Sequence, residues 1–274
     1  MSAAAYSSKS TTKVASPYKL RYKDDDAIEV GLDEAGRGCL FGRLYVGAVV
    51  FSNDVTDFAD YEGGAEMVAL IKDSKLLTKR RREMAYDFIV ENALAYSVAY
   101  AEAAEVDALN VLQADLATMH RALDSLEVPV ERVLVDGDHW RPYKDTEGYA
   151  IVDGDAQYLS IAAAGILAKV SRDRWVAEQI AAHPEWHTQY GLGTNMGYGT
   201  AAHMKGLKEH GATLEHRRSF APVAEALGLP VSAAATARRA ARAAAKKPVA
   251  ATVAAVVKAP VAGSGWTGLD EDAI

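Results

Sequence analysis

The sequence predicts an α/β fold, and three observations carry that expectation. Short apolar runs rich in Val, Leu and Ala alternate along the chain with stretches whose apolar residues recur at helical spacing. Several of those runs stop at an acid beside a glycine, as a strand does at the rim of a sheet. Half of the 274 residues are hydrophobic, which suits one sizeable core with appendages, or two small domains.

In chain order, "IEVGLDE" (28–34) and "LYVGAVVF" (44–51) read as neighbouring strands joined by a short loop. "TKRRREMAYDFIVENA" (78–93) reads as a helix with Thr78 as its N-cap and Met84, Phe88 and Ile89 near one face. "ALAYSVAYA" is a third strand. "NVLQADLATMHRALDSL" (110–126) is a second amphipathic helix, with Leu112, Leu116, Met119 and Leu123 in helical register. "RVLVDG" (132–137) is a short buried strand, and "GYAIVDGD" (148–155) repeats its design. "AQYLSIAAAGILAKVSRDRWVAEQI" (156–180) is a long helix whose first half is apolar almost all round, so it is expected in the interior.

The ends differ from this body. Residues 1–26 form a Ser-, Thr- and Lys-rich arm without the apolar core of a secretory signal; a leader read by an organelle is the alternative to a flexible arm. Residues 27–227 hold the periodic signals, and residues 228–274 form an Ala-rich basic tail of low complexity, expected to be flexible. Net charge is −7, but residues 1–23 carry +5 and residues 229–274 carry +3, leaving −15 on the stretch between. An acidic body with basic ends either repels nucleic acid or holds cations. The single cysteine, Cys39, excludes an intramolecular disulfide and a multi-cysteine zinc site, and fits a reducing, cytoplasmic setting. The longest apolar stretch of the tail, "VAATVAAVV", is too short to span a bilayer, so no membrane partner is expected.

The chemistry is concentrated in acids at strand ends. Asp33–Glu34, Asp136 and Asp155 each close an apolar run beside a glycine. In an open α/β sheet, strands that point the same way bring their ends to one rim. Adjacent strand residues face opposite sides, so Asp33 and Glu34 share a site only if the strand stops there, which Gly36 and Gly38 allow. Clustered carboxylates repel one another unless a cation is present. Hard oxygen donors without clustered Cys or His select Mg²⁺ or Mn²⁺. Two such ions about 4 Å apart are the usual device for in-line displacement at phosphorus. Turn or cap roles remain the alternative for each acid taken singly.

Two further clusters stand out. "KDSKLLTKRRRE" (72–83) is rich in Lys and Arg, and suits either a phosphate backbone or a solvated helix start. In "GLGTNMGYGTAAHMKGLKEHGATLEHRRSF" (191–220), Tyr198 between Gly197 and Gly199 could stack on a sugar or base, or pack in a turn. Arg217 and Arg218 could hold phosphates or pair with nearby acids. "GRGCLFG" and "GLGTNMG" are one residue too long for the dinucleotide fingerprint, and the proline in "HPEWH" interrupts the helix a zinc-binding pair needs.

With these residues quoted, the chain resembles the ribonuclease HII family, the type 2 ribonucleases H. "GLDEAGRG", "KDSKLLTKRRRE", "VLVDG", "GDAQYLSIAAAGILAKVSRD", "GYGTAAHMKGLKEHG" and "HRRSFAPV" follow the family's motifs in order, from about residue 28 to 223. The resemblance implies an RNase H-like fold, a central mixed sheet flanked by helices with a helical C-terminal part. It implies that Asp33, Glu34, Asp136 and Asp155 are catalytic metal ligands for a two-metal Mg²⁺ or Mn²⁺ site. It implies that Gly36, Arg37 and Gly38 meet the ribonucleotide's 2′-hydroxyl, the group that separates RNA from DNA. Tyr198 matches the residue that packs on the adjacent deoxyribose, and Ser74 and Lys75 match strand contacts. Asp173, four residues after Lys169, fits a helix-surface ion pair instead.

Three positions depart from the family pattern: Gly165 stands where serine is usual, Met196 where lysine is usual, and Asp153 where lysine is common. They bear on metal affinity and salt response rather than on the reaction class. The expected activity is metal-dependent endonucleolytic hydrolysis of RNA in RNA/DNA hybrids, and cleavage 5′ of ribonucleotides embedded in DNA, by a monomer. The rivals are a catalytically silent nucleic-acid binder on the same fold and another two-metal nuclease.

Overall fold

The computed structural model describes residues 18–53, 70–71, 77–229 and 257–258. Five strands make one mixed sheet: β1 (Glu29–Ala35), β2 (Leu44–Val50), β3 (Ala95–Ala101), β4 (Arg132–Asp136) and β5 (Glu147–Ile151). They lie in the order β5-β4-β1-β2-β3, and a two-residue strand, β6 (Val257–Lys258), pairs outside β3. One half is an antiparallel meander, β1 to β2 to β3. The other half is parallel: Leu32 of β1 pairs with Val135 of β4, and Asp136 of β4 pairs with Ile151 of β5. The C-terminal ends of β1, β4 and β5 therefore meet at one rim.

Eight helices are described: α1 (Lys79–Asn92), α2 (Ala103–Leu109), α3 (Val111–Asp124), α4 (Leu159–Ala182), α5 (Pro184–Tyr190), α6 (Leu192–Asn195), α7 (Ala201–His210) and α8 (Ala221–Ala226). Thr78 caps α1, its side chain accepting the Arg81 N–H, as its position in the sequence predicts. Asn110 caps α3 in the same way, accepting from Gln113. The short α2 before it carries no sequence expectation; seven residues are too few for a periodic stripe to be read.

The sheet has an apolar layer on each face. Val30, Leu32, Val46 and Ala48 face α3, meeting Leu116, Met119 and Leu123. Ala35, Tyr45 and Val49 face α4, meeting Ala162, Ala163 and Ile166. α4 comes to backbone contact with the sheet because two strand residues lack side chains: a Cβ at Gly31 would lie 2.2 Å from Ser160 C, and one at Gly47 2.2 Å from Ala164 O. The interior position expected for the first half of α4 is thus built in, and it brings the middle of the helix against the end of β1.

Two expectations are corrected. β1 does not stop at Asp33–Glu34: Glu34 pairs with Val46 and Ala35 with Tyr45, because β2 continues beyond the end of β4. Nor does Asp155 close a strand. β5 ends at Ile151, and Asp155 sits in a single 3₁₀ turn, Gly154–Ala156, reached through Asp153 in the left-handed region at φ 52°. The N-terminal arm before residue 18, most of the C-terminal tail, and the segment with Ser74 and Lys75 lie outside the described residues.

Candidate active site

The alternation of a regular strand decides how the first two acids are presented. Odd-numbered β1 residues face α4 and even-numbered ones face α3. Asp33 accordingly looks to α4, where a Cβ on Gly165 would lie 2.2 Å from its Oδ2. Glu34 looks to the α3 side, where its Oε1 accepts from Arg37 Nη1 at 3.4 Å. Asp33 Oδ1 accepts the Glu34 backbone N–H at 2.7 Å. The pair straddles the sheet, one acid on each face, beyond the last residues that β1 pairs with β4.

Asp136 closes β4, and its Oδ1 accepts the Asp155 N–H at 3.2 Å. That bond carries the 3₁₀ turn, and with it Asp155, onto the rim. The four acids act on one another electrostatically. Burial pushes the Asp33 carboxyl well above the usual carboxylate range, and Glu34, Asp136 and Asp155 push it further. Burial also raises Glu34, with Arg37 opposing and Asp136 adding to the rise. Among the described residues no three Asp, Glu, His or Cys side chains already stand in a metal-ligating arrangement. The carboxylates share a rim rather than a preformed cage. The donor set is entirely oxygen, which fits a hard divalent cation and not zinc.

A backbone arch flanks the acids. Gly36 has φ +91°, and a Cβ there would lie 2.2 Å from Arg172 Nε, so glycine alone fits. Two buried arginines hold the arch. Arg217 donates to the carbonyls of Gly36 (2.7 Å), Arg37 (3.1 Å) and Gly42 (2.9 Å). Arg172 donates to those of Phe41 (3.0 Å), Arg43 (3.1 Å) and Met196 (2.7 Å). Arg217 is a candidate phosphate ligand in the sequence; it is buried, and its Nε and Nη1 donate to main-chain oxygens instead. Burial pulls its pKa down to about 10, which leaves it charged at neutral pH.

The same stitching brings Tyr198 beside the arch. Leu40 N–H donates to Gly197 O at 2.8 Å, and Arg172 reaches Met196 O. Tyr198 is 46% exposed, an uncommon state for a large apolar ring here. Its carbonyl is held by a histidine pair. Thr213 N–H donates to His216 Nδ1 at 3.0 Å, so the His216 proton is on Nε2 and goes to His203 Nε2 at 3.0 Å. The proton of His203 is then on Nδ1 and is donated to Tyr198 O at 3.0 Å. Burial lowers both pKa values, that of His216 to about 3, so the pair is neutral. Asp173 pairs with Lys169 at 2.7 Å, as expected, and also with Arg82 at 3.1 Å.

One acid near the site was not singled out in the sequence. Asp115 of α3 is 2% exposed, with Oδ2 3.9 Å from Arg37 Nη1 and Oδ1 without a hydrogen-bond partner. Burial, then Glu34, push it up to about 8, with Arg37 opposing. It falls on the apolar stripe of Leu112, Leu116 and Met119, and an acid on such a stripe is the signal that could have found it.

A family model described as Ribonuclease HII matches residues 30–223. A protein named Ribonuclease HII from Paracidovorax citrulli is 46% identical over 210 residues, covering 77% of this chain and 81% of that one. Another of that name, from Phocaeicola vulgatus, is 38% identical over 201 residues, covering 73% and 92%. Among solved structures, the ribonuclease H2 of Pyrococcus horikoshii OT3 superposes with a TM-score of 0.58 at 24% identity, over 72% of this chain and 96% of that one. At that identity the likeness shows the fold, a mixed sheet flanked by helices with a helical C-terminal part.

Proposed function

This chain belongs to the ribonuclease HII family and is an endonuclease that hydrolyses RNA in RNA/DNA hybrids; on that basis we propose that it depends on Mg²⁺ or Mn²⁺ and also cuts 5′ of single ribonucleotides embedded in DNA. The products of the proposed reaction are a 3′-hydroxyl and a 5′-phosphate. Asp33, Glu34, Asp136 and Asp155 would hold the cations, which when bound supply Lewis-acid activation of water and neutralisation of the leaving oxygen. The observation that carries this reading is the meeting of the β1 and β4 ends at one rim, with the Asp155 N–H bonded to Asp136 Oδ1 and Glu34, Asp136 and Asp155 all acting on Asp33.

The rest of the work falls to the chain's own groups. The arch Gly36–Gly38 offers a backbone that a ribose can approach closely, since nothing lies within 4 Å of where a Gly38 Cβ would stand. Arg37 is 40% exposed and presents a guanidinium beside that backbone. Tyr198, half exposed across the arch, offers a flat face to the neighbouring sugar. Arg172 and Arg217 keep both surfaces in one relative position, so the 2′-hydroxyl and the sugar next to it are read together.

A labelled DNA duplex containing one ribonucleotide tests the reading, incubated with Mg²⁺ and with chelator. The expected result is a single nick on the 5′ side of the ribonucleotide, with Mg²⁺ only. Binding without a nick would favour a silent binder, and nicking of an all-DNA duplex would favour a different nuclease.

A further inference from the structure

The geometry points to Asp115 as a positioning residue that seats Arg37 and, through it, sets how tightly the chain takes a strand bearing a 2′-hydroxyl. This inference rests on the ribonuclease reading above and deepens it. Asp115 lies in the body of α3, on the face turned to the sheet, 2% exposed. A carboxyl in that setting costs several kcal/mol unless something meets it. Nothing apolar in its surroundings does, and its Oδ1 has no partner. Arg37 is the cation within ion-pair reach of it among the described residues, at 3.9 Å.

Arg37 is also the residue whose placement matters. Its backbone carbonyl is held by the buried Arg217, and the glycines on either side carry no side chain to steer it. The direction of the guanidinium is therefore left to its own partners. Nη1 sits between Glu34 Oε1 at 3.4 Å and Asp115 Oδ2 at 3.9 Å. With Nη1 held by these two acids and the side chain 40% exposed, the other donors are left for a phosphate oxygen or ribose hydroxyl to accept. A substrate strand lying over the rim supplies acceptors to the outer side of the fork and fixes it against the two acids. A cation site between Glu34 and Asp115 is the competing use of the same acids. The Arg37 guanidinium already fills that position with positive charge.

A double-mutant cycle tests this with wild type, Asp115→Asn, Arg37→Ala and the double variant. Steady-state cleavage of a duplex carrying one ribonucleotide is measured beside binding of the same duplex in chelator, followed by fluorescence anisotropy. Asp115→Asn is expected to raise KM about tenfold while kcat changes by less than about threefold, and to weaken binding in parallel. In the Arg37→Ala background the same substitution is expected to change neither by more than about twofold, because the seat has no occupant. Equal effects of Asp115→Asn in both backgrounds, or no effect on KM and binding in the wild-type background, would overturn the inference. Should Asp115→Asn not fold, Asp115→Thr removes the carboxyl and runs the same cycle. A wild-type chain that binds but nicks no ribonucleotide-containing duplex counts against the ribonuclease reading, and the binding cycle still decides the seat.

Discussion

Gly165 of α4 and Asp33 of β1 are in contact through a missing side chain: a Cβ at 165 would lie 2.2 Å from Asp33 Oδ2. The carboxylate occupies the space that any larger residue would claim. Gly165→Ala gains about 1 kcal/mol of helix propensity and loses about 1–3 kcal/mol to the collision. In chelator the variant is expected to melt below wild type. Where a cation draws Asp33 outward to the rim the collision disappears, so the deficit shrinks or reverses with Mg²⁺. Thermal melts in the two conditions check this, and an equal deficit in both would count against the cation site.

Asp136→Asn keeps the shape at the end of β4 and the acceptor for the Asp155 N–H, while removing one charge from the rim. Cleavage with saturating Mg²⁺ is expected to fall by at least about a thousandfold, the scale of losing an essential charge in a preorganised site. Circular dichroism should show an unchanged fold. Near-wild-type turnover would remove Asp136 from the proposed ligand set.

Stability should depend on pH in a direction set by two raised acids. Asp115 is pushed to about 8 and Asp33 well above the usual carboxylate range, both chiefly by burial. In the unfolded chain an Asp titrates near about 3.9, so between that pH and about 8 the native state binds more protons than the unfolded one. The stabilisation is complete below the lower value and is lost as pH rises through the upper one. In chelator, Tm is expected to fall from pH 5 to pH 8.5, and Asp115→Asn should flatten the slope. A wild-type Tm that rises over that window would contradict the assignment.

Tyr198→Ala removes the exposed ring without touching the acids. Loss of stacking worth about 1–3 kcal/mol predicts a fall of about 5- to 150-fold in kcat/KM for the single-ribonucleotide duplex. His216→Ala should act on the same surface indirectly. It breaks the chain of hydrogen bonds that ends at Tyr198 O, so it lowers Tm as well as kcat/KM. A Tyr198→Ala enzyme with unchanged kcat/KM would show that the ring packs rather than reads.

Much of the fold was legible because the strands are uniform apolar runs and their ends are marked by acid and glycine. Thr78 as a cap, the Lys169–Asp173 pair and the interior placement of α4 follow from local spacing, and the structure has all three. Asp155 was misread as a strand end because "AIVDGD" imitates "VLVDG"; the difference lies in Asp153, whose left-handed backbone turns the chain four residues early. The continuation of β1 past Glu34 depends on the length of β2, which no local pattern in β1 reports. The role of the arginines beneath the arch is not legible either, since their acceptors are carbonyls that every residue possesses. The pairing of His203 with His216 depends on how α7 and the following turn fold back, not on the composition of either segment.

The parallel pairing of β1 with β4 joins residues about a hundred positions apart, Leu32 with Val135 among them. Loop closure over such a span is entropically slow, and contacts of this kind form late when a chain folds. In the antiparallel half the longest closure, β2 to β3, joins residues about half as far apart, Val50 with Ala95 among them. A nascent chain can therefore complete the first three strands while its acidic side chains are still apart, and their mutual repulsion is imposed only when most of the core already exists to bear it. Truncated or partly synthesised forms ending before β4 would have no assembled centre, so premature release yields an inert fragment rather than an unregulated nuclease.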